Sequence, residues 1–251
     1  MNETTKAAIA AHAIAEYPRE CVGLVALVHG NETYMPCANW AATPNEQFVL
    51  AAEDYARAED AGEIVAIVHS HPGGRAHPSA ADKAMCEASG IARWVIASVG
   101  VQANGSIGVD GWCEFGPCGF IAPLVGRPFV HGVHDCYSIV RDWYRVERGV
   151  VLPDFERRDA WWADGKSSLY LDNYRVAGFV DVGAGVAPEV GDVLLMQIRS
   201  RNDVPNHAGI YVGEGQFLHH MHGQLSRRGV WGGMWLQSLR TVLRYAETSD
   251  E

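Results

Sequence analysis

No apolar run in the sequence approaches the ~20 residues that a bilayer-spanning helix needs, so no membrane span is expected. The N-terminus, Met-Asn-Glu-Thr-Thr-Lys, lacks a basic stretch followed by an apolar one, and no signal peptide is expected either. Positive charge is also short. Twenty Lys and Arg face 30 Asp and Glu, a formal net charge of -10, which argues against nucleic acid as the main partner. There are no internal repeats. Six cysteines, at 21, 37, 86, 113, 118 and 136, show no paired zinc-ribbon spacing. They read as reduced thiols, with Cys113 and Cys118 as the one candidate pair. What is present, 251 residues of which 48% are hydrophobic, suffices for one large or two small packed domains.

The first half alternates helices and strands, an α/β pattern. Helical spacing of Ala8, Ile9, His12, Ala13 and Ala15 predicts a helix over 4–17, capped by Thr4 or Thr5 and stopped by Pro18. Strands are expected at Cys21–Val28, Phe48–Leu50, Ile64–Val68 and Trp94–Val99. Helices are expected at Ala52–Ala61 and Ala80–Ser89, each ended by glycine, with Ser79 and Asp82 forming a helix start. Gly105–Gly119 carries many glycines and little periodicity, so residues 106–122 read as a linker between domains at 1–105 and 123–251.

His69-Ser70-His71-Pro72 closes the strand at Ile64–Val68, and alternate strand side chains share a face. Two imidazoles and the nearby carboxylate of Asp82 are donors that suit a catalytic zinc with one position left open. His77, in the same loop, reads as a surface residue. The spacing His-x-His, seven residues, Ser, two residues, Asp, with Glu20 upstream in Pro18-Arg19-Glu20-Cys21, resembles the signature of the JAMM (MPN-plus) metalloproteases. The resemblance implies that His69, His71 and Asp82 hold Zn2+. It also implies that Glu20 is the general base toward the zinc-bound water and that Ser79 steadies the oxyanion.

The second half has its own candidate. Asp135 suits an N-cap, and Cys136 opens a helix carrying Ile139, Val140, Trp143 and Val146 at helical spacing, closed by Gly149. A thiol in the first helical turn feels the positive end of the dipole, which favours thiolate. Strands are expected at Val193–Met196, from His207 to Val212, and from Gln216 to His219 after a Glu214-Gly215 turn. Asp-Cys at a helix start, Gly191-Asp192 before a strand, His207-x-Gly-Ile-Tyr and a polar residue twelve positions on resemble the NlpC-type papain-like cysteine peptidases. That family implies an α+β domain with Cys136 as nucleophile, His207 as base and His219 as orienter. Ser138 stands where the family usually has glycine, and the tyrosine expected upstream of the cysteine has no counterpart between Pro123 and His134. His131 and His134 read as loop residues lining the cleft, while strand alternation turns His220 away from His219. The aromatics of 151–190, among them Trp161, Trp162 and Tyr170, either line a groove or pack the helix.

An α/β JAMM-like domain followed by an α+β NlpC-type domain resembles the tail tip assembly proteins of long-tailed bacteriophages. The resemblance implies a hydrolase with a zinc and a cysteine peptidase site. Peptidoglycan stem or cross-link peptides and other tail tip proteins would be its partners. The protein would be made in the host cytoplasm and carried at the virion tail tip. Two other readings stay open: a non-catalytic assembly protein, and a bacterial isopeptidase or sulfur-carrier processing enzyme.

Overall fold

Ile9 and Ala13 place a helix, α1 (Glu3–Glu16), against a sheet. Its cap is Asn2, whose side chain accepts from the Thr5 amide, rather than Thr4 or Thr5. This structure, a computed structural model describing residues 1–246, divides into two units, Met1–Phe120 and the residues from Ile121 onward.

In the first unit, β1 (Val22–Val28) and β2 (Asn31–Cys37) form a hairpin through His29 and Gly30. A loop then leads to α2 (Ala52–Ala61), β3 (Glu63–Pro72), α3 (Ala80–Ser89), β4 (Trp94–Val101) and β5 (Ile107–Phe115). The sheet order is β2-β1-β3-β4-β5, with β3 and β4 parallel and the other pairs antiparallel. Val25, Ala66, Val68 and Val95 face α1, and Val22, Leu24, Ile67 and Trp94 face Ala58 of α2 and Cys86 of α3. This is the expected mixed sheet flanked by helices. One strand lies outside the expectations and two expectations fail. β2 is a strand although its sequence is polar and contains Pro36, which an edge strand tolerates. Phe48–Leu50 forms only a single bridge, Leu50 to Asn39. The expected linker at 106–122 contains β5, the other edge of the sheet.

The second unit places α4 (Cys136–Trp143), extended by a π-helical turn at Tyr144–Arg148, before α5 (Leu169–Asn173). Gly149 ends the π-turn in the left-handed region, φ 67°, which glycine adopts at little cost. Six strands follow: β6 (Phe179–Asp181), β7 (Val193–Met196), β8 (His207–Gly213), β9 (Gln216–His219), β10 (Arg227–Val230) and, after α6 (Met234–Ser238), β11 (Leu239–Tyr245). Their order is β10-β9-β8-β7-β11-β6, antiparallel throughout. Ile139 and Val140 of α4 are buried against Leu195, Ala208, Ile210 and Leu218, each aliphatic side chain contributing roughly 1.5–3 kcal/mol. All six cysteines are free thiols, so Cys113 and Cys118 do not pair. Among the described residues, no helix is long and apolar enough to cross a membrane.

Candidate active sites

β3 carries His69 and His71 on the face that holds Phe48 and Trp94, whose rings lie 4.8 and 5.9 Å from the His69 ring. The next helix brings the carboxylate. Ser79 and Asp82 form a reciprocal capping box: the Asp82 amide donates to Ser79 Oγ (3.1 Å), and the Ser79 amide donates to Asp82 Oδ2 (2.7 Å). Asp82 thereby sits in the first turn of α3 with Oδ1 3.2 Å from His69 Nε2 and Oδ2 3.4 Å from His71 Nε2, the two imidazole nitrogens being 3.1 Å apart.

These three donors fit a cation. A tetrahedral zinc with ligand bonds of ~2.0–2.1 Å separates neighbouring ligand atoms by roughly 3.3 Å, close to the observed triangle. His71 Nδ1 lies 2.9 Å from the Arg75 carbonyl and so carries the proton, leaving the Nε2 lone pair aimed at the centre. Burial raises Asp82, but the two imidazoles outweigh it and hold the carboxyl well below the usual range. Burial lowers His69, with Asp82 opposing. At His71 burial also pulls downward, yet Asp82 and the Arg75 carbonyl carry the net shift upward. Glu20 is buried next to this centre, and burial pushes its carboxyl up to about 8, with His71 opposing and Asp82 adding. Its backbone is pinned on both sides: its amide donates to the Pro44 carbonyl (2.7 Å) and its carbonyl accepts from Asn39 Nδ2 (3.0 Å). Ser79 is exposed and its Oγ is engaged as the helix cap. His77 is exposed, as expected.

The second site is a cleft of about 310 Å3 in the other unit, lined by Phe129, Cys136, Trp162, Tyr170 and His207 among others. Asp135 caps α4 by accepting from the Tyr137 and Ser138 amides, and Ser138 returns the bond to the Asp135 amide. Ser138, at the position expected to be glycine, is therefore part of the cap. The thiol lies 3.0 Å from the Tyr170 hydroxyl. Against the helix dipole, burial and then the Asp135 carboxylate push Cys136 up to about 11, with Tyr170 opposing. His207 Nε2 lies 3.3 Å from His219 Nδ1. Burial lowers His207 to about 3, with His219 and His220 adding, and His219 to about 4, with Arg227 and then His220 adding.

His219 stacks on Phe217 at 4.5 Å and 18°, a fit that depends on glycine in both neighbouring strands. A Cβ at Gly209 would meet the Phe217 ring at 2.6 Å, and one at Gly229 would meet the same ring at 2.8 Å and His219 Nε2 at 3.2 Å. His220 turns away from His219, but it lines the cleft together with His131 and His222. His134 is buried instead of lining. Among the described residues, the one histidine-containing group with metal-ligand geometry is His69, His71 and Asp82. Tyr170 and Trp161 both pack the core around α4 and line the cleft, so the two readings of the aromatic segment hold together.

Residues 2–108 match the family described as prokaryotic homologs of the JAB domain, and residues 126–244 match the NlpC/P60 family. A solved NlpC/P60 family protein from Bacillus cereus shares 12% identity over 92% of this chain and 65% of its own, at a TM-score of 0.34. The chain is 40% identical to tail tip assembly protein K of Escherichia phage N15 over 253 residues, 98% of this chain and 96% of that protein. It is 40% identical to tail tip assembly protein K of Escherichia phage lambda over 196 residues, 78% of this chain and 89% of that protein. With both domains matched in order and near-full coverage of a relative at that identity, the chain belongs to the tail tip assembly protein K family.

Proposed function

We propose that this tail tip assembly protein is also a two-site hydrolase that carries peptidase activity to the host wall. The observation that carries the reading is Cys136 and His207 lining one cleft, with His219 3.3 Å behind His207. A thiol nucleophile, a base and an orienting group are the parts that thiol acyl transfer requires. His207 takes the thiol proton through its free nitrogen as Cys136 attacks the carbonyl. His219 Nδ1 accepts from Nε2 and fixes the tautomer. The amide at the start of α4 supplies an oxyanion donor. The substrates would be stem or cross-link peptides of peptidoglycan.

In the first unit His69, His71 and Asp82 would hold a zinc ion, which when bound supplies Lewis acidity and acidifies a water. Glu20 would be the base, held in place by Asn39 and Pro44, and the Ser79 hydroxyl, while capping α3, would steady the oxyanion. Its substrate would be a peptide or isopeptide bond, with other tail tip proteins as the partner class.

A second reading is assembly contacts without turnover. It is favoured by the two relatives, both named for tail tip assembly.

Digestion of purified peptidoglycan, read as released muropeptides by mass spectrometry, tests the first reading. The parent is expected to release stem peptides, Cys136→Ala to release none, and Glu20→Gln to behave as the parent. Silence of all three, with Cys136 readily alkylated, would move the substrate from the wall to tail proteins.

A further inference from the structure

The cysteine cleft has charged residues in its wall but keeps their charge inside. Asp135 and Arg157 both line it, and they form an ion pair at 2.6 Å with 3% of each side chain exposed. The bonds of the pair run inward, with both Asp135 oxygens and four of the five Arg157 N–H groups engaged. Asp135 Oδ1 accepts from the Tyr137 and Ser138 amides, and Oδ2 accepts from the Gly132 amide as well as from Arg157 Nε. Arg157 Nη1 donates to Asp154 and to the Phe155 carbonyl, and Nη2 donates to the Gly132 carbonyl. The amide of Asn206 is likewise consumed by both backbone groups of Ile198 (2.7 and 2.9 Å), and His220 Nε2 by the Gln224 carbonyl. What remains to meet a ligand is Phe129, Trp162, Ile198, Met221, the Tyr170 hydroxyl and the imidazoles of the wall. The chain as a whole carries a formal net charge of -10, which repels anions before they arrive.

We propose that the Cys136 cleft selects a peptide whose groups next to the scissile bond carry no charge. This deepens the peptidase reading of the same site and rests on it. A carboxylate or ammonium entering the cleft gives up water and finds the wall's one opposite-charge pair already engaged, whereas a carboxamide or alkyl side chain loses little. Within wall peptides, the groups that meet this condition are an amidated glutamyl carboxyl and a diamino-acid side chain whose amine is acylated and whose carboxyl, where it has one, is amidated.

The test needs no turnover. Second-order rates of Cys136 alkylation are measured on the full chain at pH 8, by intact-protein and peptide mass spectrometry. The reagents are acetyl-alanyl chloromethyl ketones ending in glutamine, glutamate, norleucine or lysine, with iodoacetamide as a small uncharged control. The glutamine reagent is expected to outpace glutamate, and norleucine to outpace lysine, each by about tenfold or more, the rough cost of an unpaired buried charge. Ile198→Lys, which leaves Cys136 and His207 in place, is expected to bring the glutamate reagent level with glutamine. Glutamate reacting as fast as glutamine in the parent overturns the proposal. So does lysine matching norleucine, which would point instead to Asp159, 3.9 Å from His131. Peptidyl reagents no faster than iodoacetamide overturn it too, because the cleft would then select nothing. If iodoacetamide reaches Cys113 or Cys118 before Cys136, the cysteine-site reading itself fails, a result distinct from the other three.

Discussion

The two units carry their polar groups in opposite ways. In the first, an ionised carboxylate stands between two imidazoles, with Asp82 3.2 and 3.4 Å from their nitrogens and a buried Glu20 alongside. Three donor atoms that close suit a cation, which the proposed zinc would supply. In the second, Asp135 is cancelled by Arg157, the thiol is pushed up and the imidazoles are pushed down. One site concentrates donors around a carboxylate, as the proposed zinc would require. The other pairs its carboxylate with a guanidinium and buries its thiol and imidazoles.

The largest expected effect breaks the first half of this contrast. Asp82→Ala should reduce bound zinc from about one ion per chain to none at micromolar free metal. The affinity loss should be well above 100-fold, since even outer-shell partners of a metal ligand are worth about 10–100-fold. Atomic absorption after dialysis reads the stoichiometry. The same variant should leave the rate of Cys136 alkylation as in the parent. Retention of zinc by Asp82→Ala would remove the triad as the metal site.

Acid should separate the units next. His134, His207, His219 and His220 all belong to the second unit, and burial, the first cause at each, lowers them to between about 3 and about 4. Their unfolded value is about 6.5, so between these limits the unfolded chain binds more protons. Their contribution is therefore fully present above about pH 6.5 and is lost as pH falls toward 4. A two-unit depression is about 2.7 kcal/mol for one histidine, and coupling among the four makes their sum smaller than four times that. In the first unit His69 is lowered and His71 raised, so their slopes oppose each other. Hydrogen exchange at pH 7 and pH 5 should show β8 and β9 losing protection more steeply than β1 and β3 in the metal-free chain. Equal losses would mean that the neutral cleft is not what sets the acid limit.

The parts of both sites that were legible in the sequence are those fixed by local geometry. His69 and His71 share a face because they alternate on β3, and the Ser79–Asp82 box marks both a helix start and a donor. What was hidden depends on partners far along the chain. β5 escaped because a register shift opposite Ser98 and Val99 breaks its alternation, so Ile107 and Val109 pack on one cluster and Phe115 on another. β2 escaped because an edge strand needs no apolar pattern. The neutralisation of Asp135 comes from Arg157, 22 residues away in a segment of irregular structure, and no periodicity signals that pair. The same holds for Tyr170, 34 residues from Cys136.

Tyr170 gives the smallest and sharpest test of the neutral cleft. Its hydroxyl is the one protein side-chain partner found for the Cys136 thiol, at 3.0 Å, and it opposes the upward push of burial. Tyr170→Phe keeps the ring packing against Trp161 and Tyr137, at 5.9 and 6.4 Å, so the fold should lose little. Removing the hydroxyl should raise the thiol further. Alkylation by iodoacetamide at pH 7 should slow by roughly fivefold, the worth of one hydrogen bond of about 1 kcal/mol. The deficit should shrink as pH rises and thiolate forms without help. A slowing that is the same at pH 7 and pH 10 would assign Tyr170 to shaping access to the sulfur instead of to its proton. No slowing at all would leave it as core packing, and Arg157, which also opposes the upward push on the thiol, would be the side chain left to ease its ionisation beside the proposed base His207.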